Sequence, residues 1–408
     1  MHKIKVIFKK VGNKNIIKRI GRQVLIMLND IMIKFPIKKN QIIFESFNGR
    51  DINDNPMAIY KQVKADLGKE IDSLYFSVKP GVYQMLKEQY PDIKLLKRFG
   101  VKWTIKMARA DFWVINSRLP IWWLKNKKTT YIQTWHGTPL KHLALDMDNV
   151  TMPGTTTKKY HDNFKIETAR WDYLIAPNQY SKIIFERAFA FENKSLDIGY
   201  PRNDILYTHN NEKEIKALKK NYLGNENAKV ILYAPTWRDD SFYREGVYKF
   251  KLAFSFEEFF KHVSDDTILI MRPHYLVKNS IDISGFEDRV KIMADENITE
   301  LYLMSDMLIT DYSSVMFDFA NLNRPMLFYC YDLDHYRDEL RGFYLDFESE
   351  APGPVIQTED DFYKQLDVYT ENNQYPGYEK RFKAFQDKFI EWDNGKASQK
   401  VSDIILGK

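Results

Sequence analysis

Residues 307–320 read Met-Leu-Ile-Thr-Asp-Tyr-Ser-Ser-Val-Met-Phe-Asp-Phe-Ala, a strand pattern followed at once by a helix pattern. The apolar run ends at Thr310-Asp311, and helical periodicity begins directly after Ser313 and Ser314. One of these serines is expected to cap the helix, with Asp318 near its first turn. In an open α/β sheet, ligands bind where strands end and helices begin. The unpaired N–H groups and hydroxyls here suit phosphate oxygens, although a plain capped helix fits the local pattern equally well.

The same succession of strand and helix patterns recurs along the chain from residue 40. Strands are predicted at 41–47, 73–78, 93–96, 112–115, 131–135, 173–176 and 196–199, and then at 229–234, 267–272, 290–293, 307–310 and 325–330. Strand–helix alternation in both halves predicts an α/β protein with two Rossmann-type, doubly wound parallel sheets that face each other across a cleft.

The pattern also divides the chain into domains, with a break near residues 199–207. At 408 residues and 48.5 kDa the chain is too long for one ordinary core. We expect residues 40–200 to form an N-terminal Rossmann-like domain and residues 201–375 to form a C-terminal one. Residues 376–408 are expected to be helical and to pack back on the N-terminal domain.

The composition is that of a globular protein from a reducing compartment. Hydrophobic residues make up 44% of the chain and charged residues 28%, so general disorder is not indicated. The single cysteine, Cys330, lies inside an apolar run. One cysteine excludes a disulfide framework within the chain, which favours a reducing environment.

Basic residues are concentrated at the N-terminus. Residues 1–39 contain 11 Lys or Arg and one acidic residue, Asp30, whereas the whole chain has a formal net charge of +6. Apolar residues of this segment recur at helical spacing, at Ile16, Ile17, Ile20, Val24, Met27, Leu28 and Ile31. We therefore predict that residues 1–39 form a basic amphipathic segment that lies on an anionic membrane surface.

Other interpretations of this segment have less support. Its apolar stretch 24–28 is interrupted by Asn29 and Asp30, so it is shorter than the roughly 18–20 residues that a membrane span needs. It lacks a small-residue cleavage site, which argues against a secretory signal peptide. The basic run continues into no nucleic-acid-binding motif, so no nucleic-acid partner is predicted. A helix packed on the first domain with a solvated basic face stays an alternative.

Residues that can move protons or bind phosphate follow predicted strands in both halves. His136 comes after strand 131–135, in a turn that Gly137 permits, and Pro139 is typical of a helix start. His136 in a purely structural loop hydrogen bond is the alternative. The other candidates are Lys141, Arg202 at the domain break, Arg238 after strand 229–234, and Arg272 and His274 after strand 267–272. Such cations around one cleft suit a pyrophosphate and a transferable phosphoryl group.

Several ligand classes lack their sequence markers. No glycine-rich lysine loop and no GxGxxG follow a strand, so an ATPase or a dinucleotide oxidoreductase is not indicated. No Cys/His set has zinc spacing. Asp311 and Asp318 have the chemistry to hold a divalent cation such as Mg²⁺ between phosphates, but carboxylates at a helix start are more often caps. No metal ligand and no certain cofactor are therefore predicted.

Five motifs in a fixed order carry a resemblance to a known family. They are Trp135-His136-Gly137-Thr138-Pro139-Leu140-Lys141, Gly199-Tyr200-Pro201-Arg202-Asn203-Asp204, Tyr233-Ala234-Pro235-Thr236-Trp237-Arg238, Arg272-Pro273-His274 and Thr310-Asp311-Tyr312-Ser313-Ser314. Over roughly residues 40–390 the chain resembles the CDP-glycerol glycerophosphotransferase family, the teichoic acid polymerases and primases of Gram-positive cell walls. The resemblance implies a GT-B-like fold and transfer of glycerol phosphate from CDP-glycerol to a polyprenyl-diphosphate-linked acceptor, with release of CMP. It also implies peripheral attachment to the cytoplasmic face of the cell membrane.

The resemblance implies roles for individual residues as well. The N-terminal domain is expected to bind the acceptor and the C-terminal domain the CDP-polyol. His136 is the expected general base, and His274 is a second catalytic or phosphate-binding residue. Donor pyrophosphate or nucleotide contacts are expected at Arg238, Arg272, Asp311, Ser313 and Ser314, and acceptor or phosphate contacts at Gly137, Thr138, Lys141 and Arg202.

Three other functions fit the same sequence. A CDP-ribitol-dependent phosphotransferase needs only a different polyol pocket. A GT-B glycosyltransferase that uses a nucleotide sugar shares the fold, with Asp311 orienting the nucleotide. A membrane scaffold without catalysis is the third. The sequence leaves open whether one unit or many are added, although the His-Gly-Thr-Pro-Leu-Lys form favours the polymerase-like branch, and a homo-oligomer is compatible with it.

Overall fold

Two parallel β-sheets organise the structure, a computed structural model that describes residues 19–68, 73–150, 154–236, 242–244, 247–248, 252–273, 281–333 and 342–408. In the first sheet the strand order is β3-β2-β1-β4-β5-β6-β7, and all neighbours are parallel. Its strands are β1 Lys38–Glu45, β2 Leu74–Val78, β3 Leu95–Lys97, β4 Ala110–Ile115, β5 Thr130–Gln133, β6 Tyr173–Ala176 and β7 Lys194–Asp197.

The helices of the first half connect these strands, except α1, which precedes β1. They are α1 at 19–32, α2 Asp54–Leu67, α3 Tyr83–Gln89, α4 Val101–Ala108, α5 Thr157–Thr168 and α6 Gln179–Ala188. Asn178 caps α6, since its side chain accepts a hydrogen bond from the N–H of Ser181. Because parallel strands need crossover helices, this order of elements follows from the alternation in the sequence.

The second half repeats the plan with the order β12-β11-β8-β13-β14-β15. Its strands are β8 Lys229–Tyr233, β11 Thr267–Met271, β12 Val290–Ile292, β13 Met307–Thr310, β14 Met326–Tyr329 and β15 Val355–Ile356, and β9 Phe242–Arg244 with β10 Val247–Tyr248 forms a separate antiparallel pair. The helices are α7 Ile205–Thr208, α8 Glu212–Leu223, α9 Phe256–Phe259, α10 Ile298–Met304, α11 Val315–Phe319, α12 Phe347–Glu350, α13 Glu359–Asn372, α14 Glu379–Phe389 and α15 Ala397–Leu406.

Alternate residues of each strand feed cores on the two faces of its sheet. In β4, Trp113 belongs to one buried cluster and Val114 to the other. In β13, Leu308 and Ile309 divide in the same way. Strands buried on both faces explain the uninterrupted apolar runs of the sequence.

The strand order fixes where ligands are expected. In each sheet the order reverses between two neighbouring strands, β1 and β4 in the first sheet and β8 and β13 in the second. The crevice beyond the carboxyl ends of such strands is the usual ligand site of doubly wound sheets. The predicted fold class, two Rossmann-type parallel sheets, is confirmed by this topology.

The last two helices pack on different halves of the chain. Phe385 of α14 is buried in the core of the second half. Val401 of α15 is buried in a cluster with Ile59 of α2. Asp204 accepts hydrogen bonds from the N–H groups of Ala397 (3.0 Å) and Ser398 (2.7 Å), so the end of the chain is anchored at the junction between the sheets.

The junction is further closed by a half-buried carboxylate, that of Asp393. Asp393 accepts hydrogen bonds from the N–H of Tyr200 (2.7 Å) and from Nδ2 of Asn203 (2.9 Å). Gly199 has φ of +83°, and a Cβ at this position would lie 2.9 Å from the Cα of Asp393, so a glycine is required. Desolvation at the junction raises the pKa of Asp393 to about 7.

Helix α1 lies against the first half by one face only. Asn29 is buried and donates through Nδ2 to the carbonyl of Leu124 (3.1 Å). The guanidinium of Arg22 lies over the ring of Trp122, 4.8 Å from its centroid. Four apolar side chains of the helix stay exposed: Ile20, Val24, Met27 and Ile31. Residues 1–18, which hold the rest of the predicted amphipathic segment, lie outside the described residues.

Candidate functional site

The carboxyl ends of both sheets line one cleft with a volume of about 1570 Å³. The first half contributes residues 51–54, at the start of α2, and the segment 135–141 after β5. The second half contributes the loop 234–236 after β8, residues 294–300 around the start of α10, and the turn 312–315 after β13. The cleft therefore lies where the strand orders predict a ligand site.

His136 presents one ring nitrogen to this cleft. Its Nδ1 lies 2.7 Å from the carbonyl oxygen of Asn116, directly after β4. A carbonyl only accepts hydrogen bonds, so Nδ1 carries the proton and Nε2 keeps its lone pair. The ring stacks on Trp135, with centroids 4.5 Å apart, and meets the edge of Phe47 at 5.7 Å. These contacts fix the orientation of the base.

The surroundings keep His136 neutral. Although the ring is exposed in the cleft, the walls displace most bulk water, and this desolvation lowers the pKa of His136 below 6.5. The carbonyl of Asn116 and the carboxylate of Asp54 oppose the shift, while Arg202 and Arg50 add to it. A neutral imidazole with a free Nε2 has the protonation state of a general base at neutral pH.

The backbone before His136 is strained and is held by buried amides. Trp135 has φ of +50°, a conformation that is uncommon for residues other than glycine. The N–H of Trp135 donates to Oε1 of Gln133 (3.0 Å). The carbonyls of Thr134 and Trp135 accept from Nδ2 of Asn55, at 3.4 and 3.2 Å. Such strain persists only where the surrounding structure determines it, and it clusters at functional sites.

The segment after His136 crosses to the second half. No helix begins at Pro139, so that expectation is wrong. The chain stays extended, and Lys141 forms an antiparallel bridge with Phe343. The N–H of Tyr344 donates to the carbonyl of Leu140 (2.9 Å). Pairing with this distant segment satisfies backbone groups that a helix would use, and it leaves Lys141 and the buried Thr138 in the cleft lining.

Gly137 brings the two halves into contact. A Cβ at this position would lie 3.3 Å from Oγ of Ser314. A larger residue would therefore press against the serine turn of the second sheet. The base of one half and the serines of the other thus lie on facing walls of the same cleft.

Ser313 and Ser314 line the cleft at the start of α11. Ser314 occupies the N-cap position, but its side chain makes no capping hydrogen bond. The local pattern predicted the position correctly and the bond incorrectly. Both serines are half-buried in the cleft lining, and Oγ of Ser314 lies next to Gly137.

Asp311 and Arg272 hold loops in place. Asp311 is buried and accepts through Oδ1 from the N–H of Thr236 (2.8 Å), which joins the ends of β8 and β13. It is not among the residues that line the cleft, so the predicted nucleotide contact lacks geometric support. Arg272 lines the cleft, and its Nη1 donates to the carbonyls of Met293 (3.0 Å) and Glu296 (2.6 Å).

Arg202 is buried between two carboxylates. Its Nη1 lies 2.9 Å from Oδ2 of Asp54, and its Nη2 lies 2.8 Å from Oδ2 of Asp318. Arg202 is among the residues that line the cleft, but only 7% of its side chain is exposed and its guanidinium is engaged by the two carboxylates, so the acceptor or phosphate contact predicted from the sequence stays a prediction. Asp318 is likewise engaged by Arg202 and Asn203, and it does not join Asp311 in a cation site.

Two predicted site residues, Arg238 and His274, lie outside the described residues. Within the described part of the chain, no group of three or more His, Cys, Asp or Glu side chains is arranged to hold a metal ion. In the same part of the chain, no helix is long and apolar enough to cross a membrane.

Sequence reasoning missed three residues that build the site. Asp54 and Asn55 begin α2; Asn55 holds the His136 turn, and Asp54 accepts a hydrogen bond from Nδ2 of Asn116. Asn116 fixes the tautomer of His136 through its main-chain oxygen. A polar residue directly after the apolar run 112–115 was the available signal, because that position ends a strand.

Known proteins match this chain over nearly its whole length. The profile of the CDP-Glycerol:Poly(glycerophosphate) glycerophosphotransferase family matches residues 27–407. The teichoic acid poly(glycerol phosphate) polymerase of Bacillus subtilis (strain 168) is 46% identical over 376 residues, which is 91% of this chain and 49% of that protein. The teichoic acid glycerol-phosphate transferase of Staphylococcus aureus (strain NCTC 8325 / PS 47) is 44% identical over 399 residues, 96% of this chain and 99% of that protein. The chain thus spans about half of the first relative and nearly all of the second.

A solved structure agrees with this assignment. The wall teichoic acid polymerase TagF superimposes with a TM-score of 0.84 at 39% sequence identity, over 96% of this chain and 95% of that chain. The resemblance predicted from the five motifs is therefore confirmed, as is the GT-B-like fold that it implied. The chain belongs to the CDP-glycerol:poly(glycerophosphate) glycerophosphotransferase family of transferases.

Proposed function

We propose that the chain transfers glycerol phosphate from CDP-glycerol to the terminal glycerol hydroxyl of a polyprenyl-diphosphate-linked acceptor and releases CMP. The observation that carries the proposal is the hydrogen bond from Nδ1 of His136 to the carbonyl of Asn116, which leaves Nε2 available as a base in a cleft that Ser313 and Ser314 line from the other half. Family membership supports the same donor and the same class of acceptor.

The reaction assigns a task to each wall of the cleft. The acceptor oxygen forms a bond to the β-phosphorus of CDP-glycerol, the bond from that phosphorus to CMP breaks, and the acceptor proton passes to Nε2 of His136. Such general-base assistance contributes roughly 10²–10⁴ in rate. Charge rises on the CMP phosphate as it leaves, so hydrogen-bond donors on the second half, at Ser313 and Ser314, stabilise it.

The two halves of the chain also divide the binding of acceptor and donor. We propose that residues 40–200 hold the acceptor and residues 201–375 hold CDP-glycerol, with Thr138 and Lys141 near the transferred phosphate. Arg272, which lines the donor side of the cleft, supplies positive charge. For Arg238 we propose a contact with the donor, and for His274 a second catalytic role. Both proposals rest on the sequence positions of these residues alone.

Attachment to an anionic membrane surface on the cytoplasmic face is the second part of the proposal. In the described part of α1, Ile20, Val24, Met27 and Ile31 are all more than half exposed. Ile121 and Leu124, beside the contact that anchors Asn29, are also exposed. The 11 Lys or Arg of residues 1–39 supply the charge that such a surface attracts.

The direct test is CMP release by purified protein with a prenyl-linked glycerol phosphate acceptor. We expect CMP from CDP-glycerol and little from CDP-ribitol. Release from CDP-ribitol alone would reassign the donor, and turnover of a UDP-sugar without either CDP-polyol would overturn the proposal in favour of a glycosyltransferase. Product length, read by gel or mass spectrometry, separates addition of one unit from addition of many.

Loss of the Ser313 and Ser314 hydroxyls is expected to affect the affinity for the donor. Ser313→Ala combined with Ser314→Ala is expected to weaken CDP-glycerol binding about 10-fold, because two hydroxyl donors are lost from an anion site. Folding should not change, since Ser314 makes no capping bond. Calorimetric titration with CDP-glycerol measures the effect, and Ser349→Ala, at an exposed serine of α12, is the control. Unchanged donor affinity would reduce the turn to a structural element.

A further inference from the structure

Arg202 links the two halves of the protein through one buried guanidinium. It belongs to the short helical segment Pro201–Asp204 between the sheets. Asp54, its partner on one side, begins α2 of the first half, and Asp318, its partner on the other, lies on α11 of the second. Burial lowers the pKa of Arg202, but Asp318 and Asp54 outweigh burial and raise it above its ordinary value, so the link is charged.

From Asp54 the contacts continue to the catalytic base. Oδ1 of Asp54 accepts from Nδ2 of Asn116 (3.2 Å), and the carbonyl of Asn116 accepts from Nδ1 of His136 (2.7 Å). A second connection leads to the same place. The N–H of Arg202 donates to Oδ1 of Asn55 (3.0 Å), whose Nδ2 donates to the carbonyl of Trp135.

From Asp318 the contacts continue to the donor side. Asp318 lies four residues after Ser314, one turn along α11, so its position and that of the serine turn are coupled. Nη2 of Arg202 contacts both carboxylate oxygens of Asp318, at 3.1 and 2.8 Å. Nδ2 of Asn203 adds a third hydrogen bond to Asp318 (3.0 Å).

We propose that Arg202 is a positioning residue that sets the separation between His136 and the Ser313–Ser314 turn. It acts through Asp54 and Asp318 and does not touch substrate. The inference rests on the proposed function for the identity of the reaction. A planar guanidinium can bind two carboxylates in fixed directions, whereas a lysine ammonium is a single flexible point charge. Phosphoryl transfer needs attacking and leaving oxygens in line, so a change in this separation acts on the rate.

Arg202→Lys is the central variant because it keeps the charge and removes the fork. We expect the turnover number to fall about 10²-fold while CDP-glycerol affinity stays the same, since a 1 Å misplacement has that effect on rate. The matched control is Arg98→Lys. Arg98 is also buried against a carboxylate, Glu45, at 2.9 Å, but both residues belong to the first half. The Arg98→Lys variant should lose thermal stability and keep the turnover number of the unsubstituted protein.

The separation itself can be measured without turnover. Spin labels at Lys158→Cys and Lys364→Cys, in a Cys330→Ala background, place probes on exposed helices of the two halves. Double electron–electron resonance spectroscopy should give a narrow distance distribution for the labelled protein that retains Arg202. The distribution should become broader or shift after Arg202→Lys. Asp318→Asn, which keeps the shape of the side chain, should do the same and serves if the lysine variant does not fold.

Two results would overturn the proposal. One is a normal turnover number in folded Arg202→Lys. The other is an unchanged distance distribution together with lost CDP-glycerol affinity, which would make Arg202 a direct phosphate ligand. Failure of the unsubstituted protein to release CMP from CDP-glycerol would instead overturn the proposed reaction, and the distance measurement would be unaffected.

The pH profiles of Arg202→Gln and Arg202→Lys distinguish a positioning role of Arg202 from a general loss of structure. Arg202→Gln removes a cation that lowers the pKa of His136 and leaves Asp54 unpaired. The acid limb of the kcat/KM profile should therefore move to higher pH in Arg202→Gln and stay in place in Arg202→Lys. Equal limbs in the two variants would contradict the connection between Arg202 and the base.

Discussion

Replacing His136 by alanine is expected to lower the turnover number about 10²-fold or more, with CDP-glycerol binding nearly unchanged. The reason is geometric. Nδ1 is taken by the carbonyl of Asn116, so Nε2 is the nitrogen that can accept the acceptor proton. Steady-state CMP release and calorimetric donor titration together measure the two effects.

A matched control exists in the same half of the chain. His161 on α5 also uses a ring nitrogen to contact a main-chain oxygen, with Nε2 3.1 Å from the carbonyl of Met147, but it does not line the cleft. His161→Ala should keep the turnover number of the unsubstituted protein. A folded His136→Ala protein with normal turnover would remove His136 from the mechanism.

His136 is also expected to determine how kcat/KM depends on pH. Desolvation lowers the pKa of His136 below 6.5, and the neutral form is the active one. As pH falls through this lowered pKa, the base becomes protonated and kcat/KM should decline. The acid limb is therefore expected below pH 6.5, and it should disappear in His136→Ala. A limb above that value would mean that the acidic neighbour Asp54 dominates the environment of the ring.

The fold and the place of the site could be predicted from local patterns because both depend on the order of strands and helices. Apolar runs such as 307–310 mark strands buried on both faces, and polar residues after them mark the carboxyl edge. His136 was singled out by this rule. It lies three residues beyond Gln133, the last residue of β5, whereas the predicted strand ended at Trp135.

The details that local patterns could not predict depend on partners distant in sequence. Arg202 at the domain break was predicted to contact the acceptor or a phosphate, and its ion pair with Asp318, 116 positions away, carries no local signal. Pro139 is typical of a helix start, but pairing of Lys141 with Phe343 keeps the segment extended. The positive φ of Trp135 carries no sequence signal, since tryptophan is not a residue that favours it.

Two acidic substitutions on α1 are expected to abolish binding to anionic vesicles. Val24→Asp combined with Met27→Asp removes two exposed apolar side chains, 56% and 63% exposed, and adds negative charge to the proposed membrane face. Each such side chain contributes about 1.5–3 kcal/mol when buried in an apolar environment, so the vesicle partition constant should fall more than about 10²-fold. Vesicle flotation measures the loss.

The substitutions should separate membrane binding from chemistry. Turnover of a short, water-soluble acceptor should be normal, because no residue of α1 lines the cleft. Turnover of a long-chain prenyl acceptor in a bilayer should fall sharply, because enzyme and acceptor no longer share a surface. High salt should weaken flotation of the unsubstituted protein in the same direction, since charges are screened within about 8 Å at physiological ionic strength.

Exposed isoleucines on α5 and α6 provide the control for the α1 variant. Ile166→Asp combined with Ile183→Asp makes the same chemical change at side chains that are 50% and 52% exposed on α5 and α6, and it should leave flotation intact. If Val24 and Met27 instead pack against protein, their replacement will lower the melting temperature and turnover of both acceptors. Deletion of residues 1–39 is a poorer test, because β1 begins at Lys38 and Asn126 donates to the carbonyl of Phe35 (3.1 Å). Normal flotation of the stable double variant would remove α1 from the membrane surface.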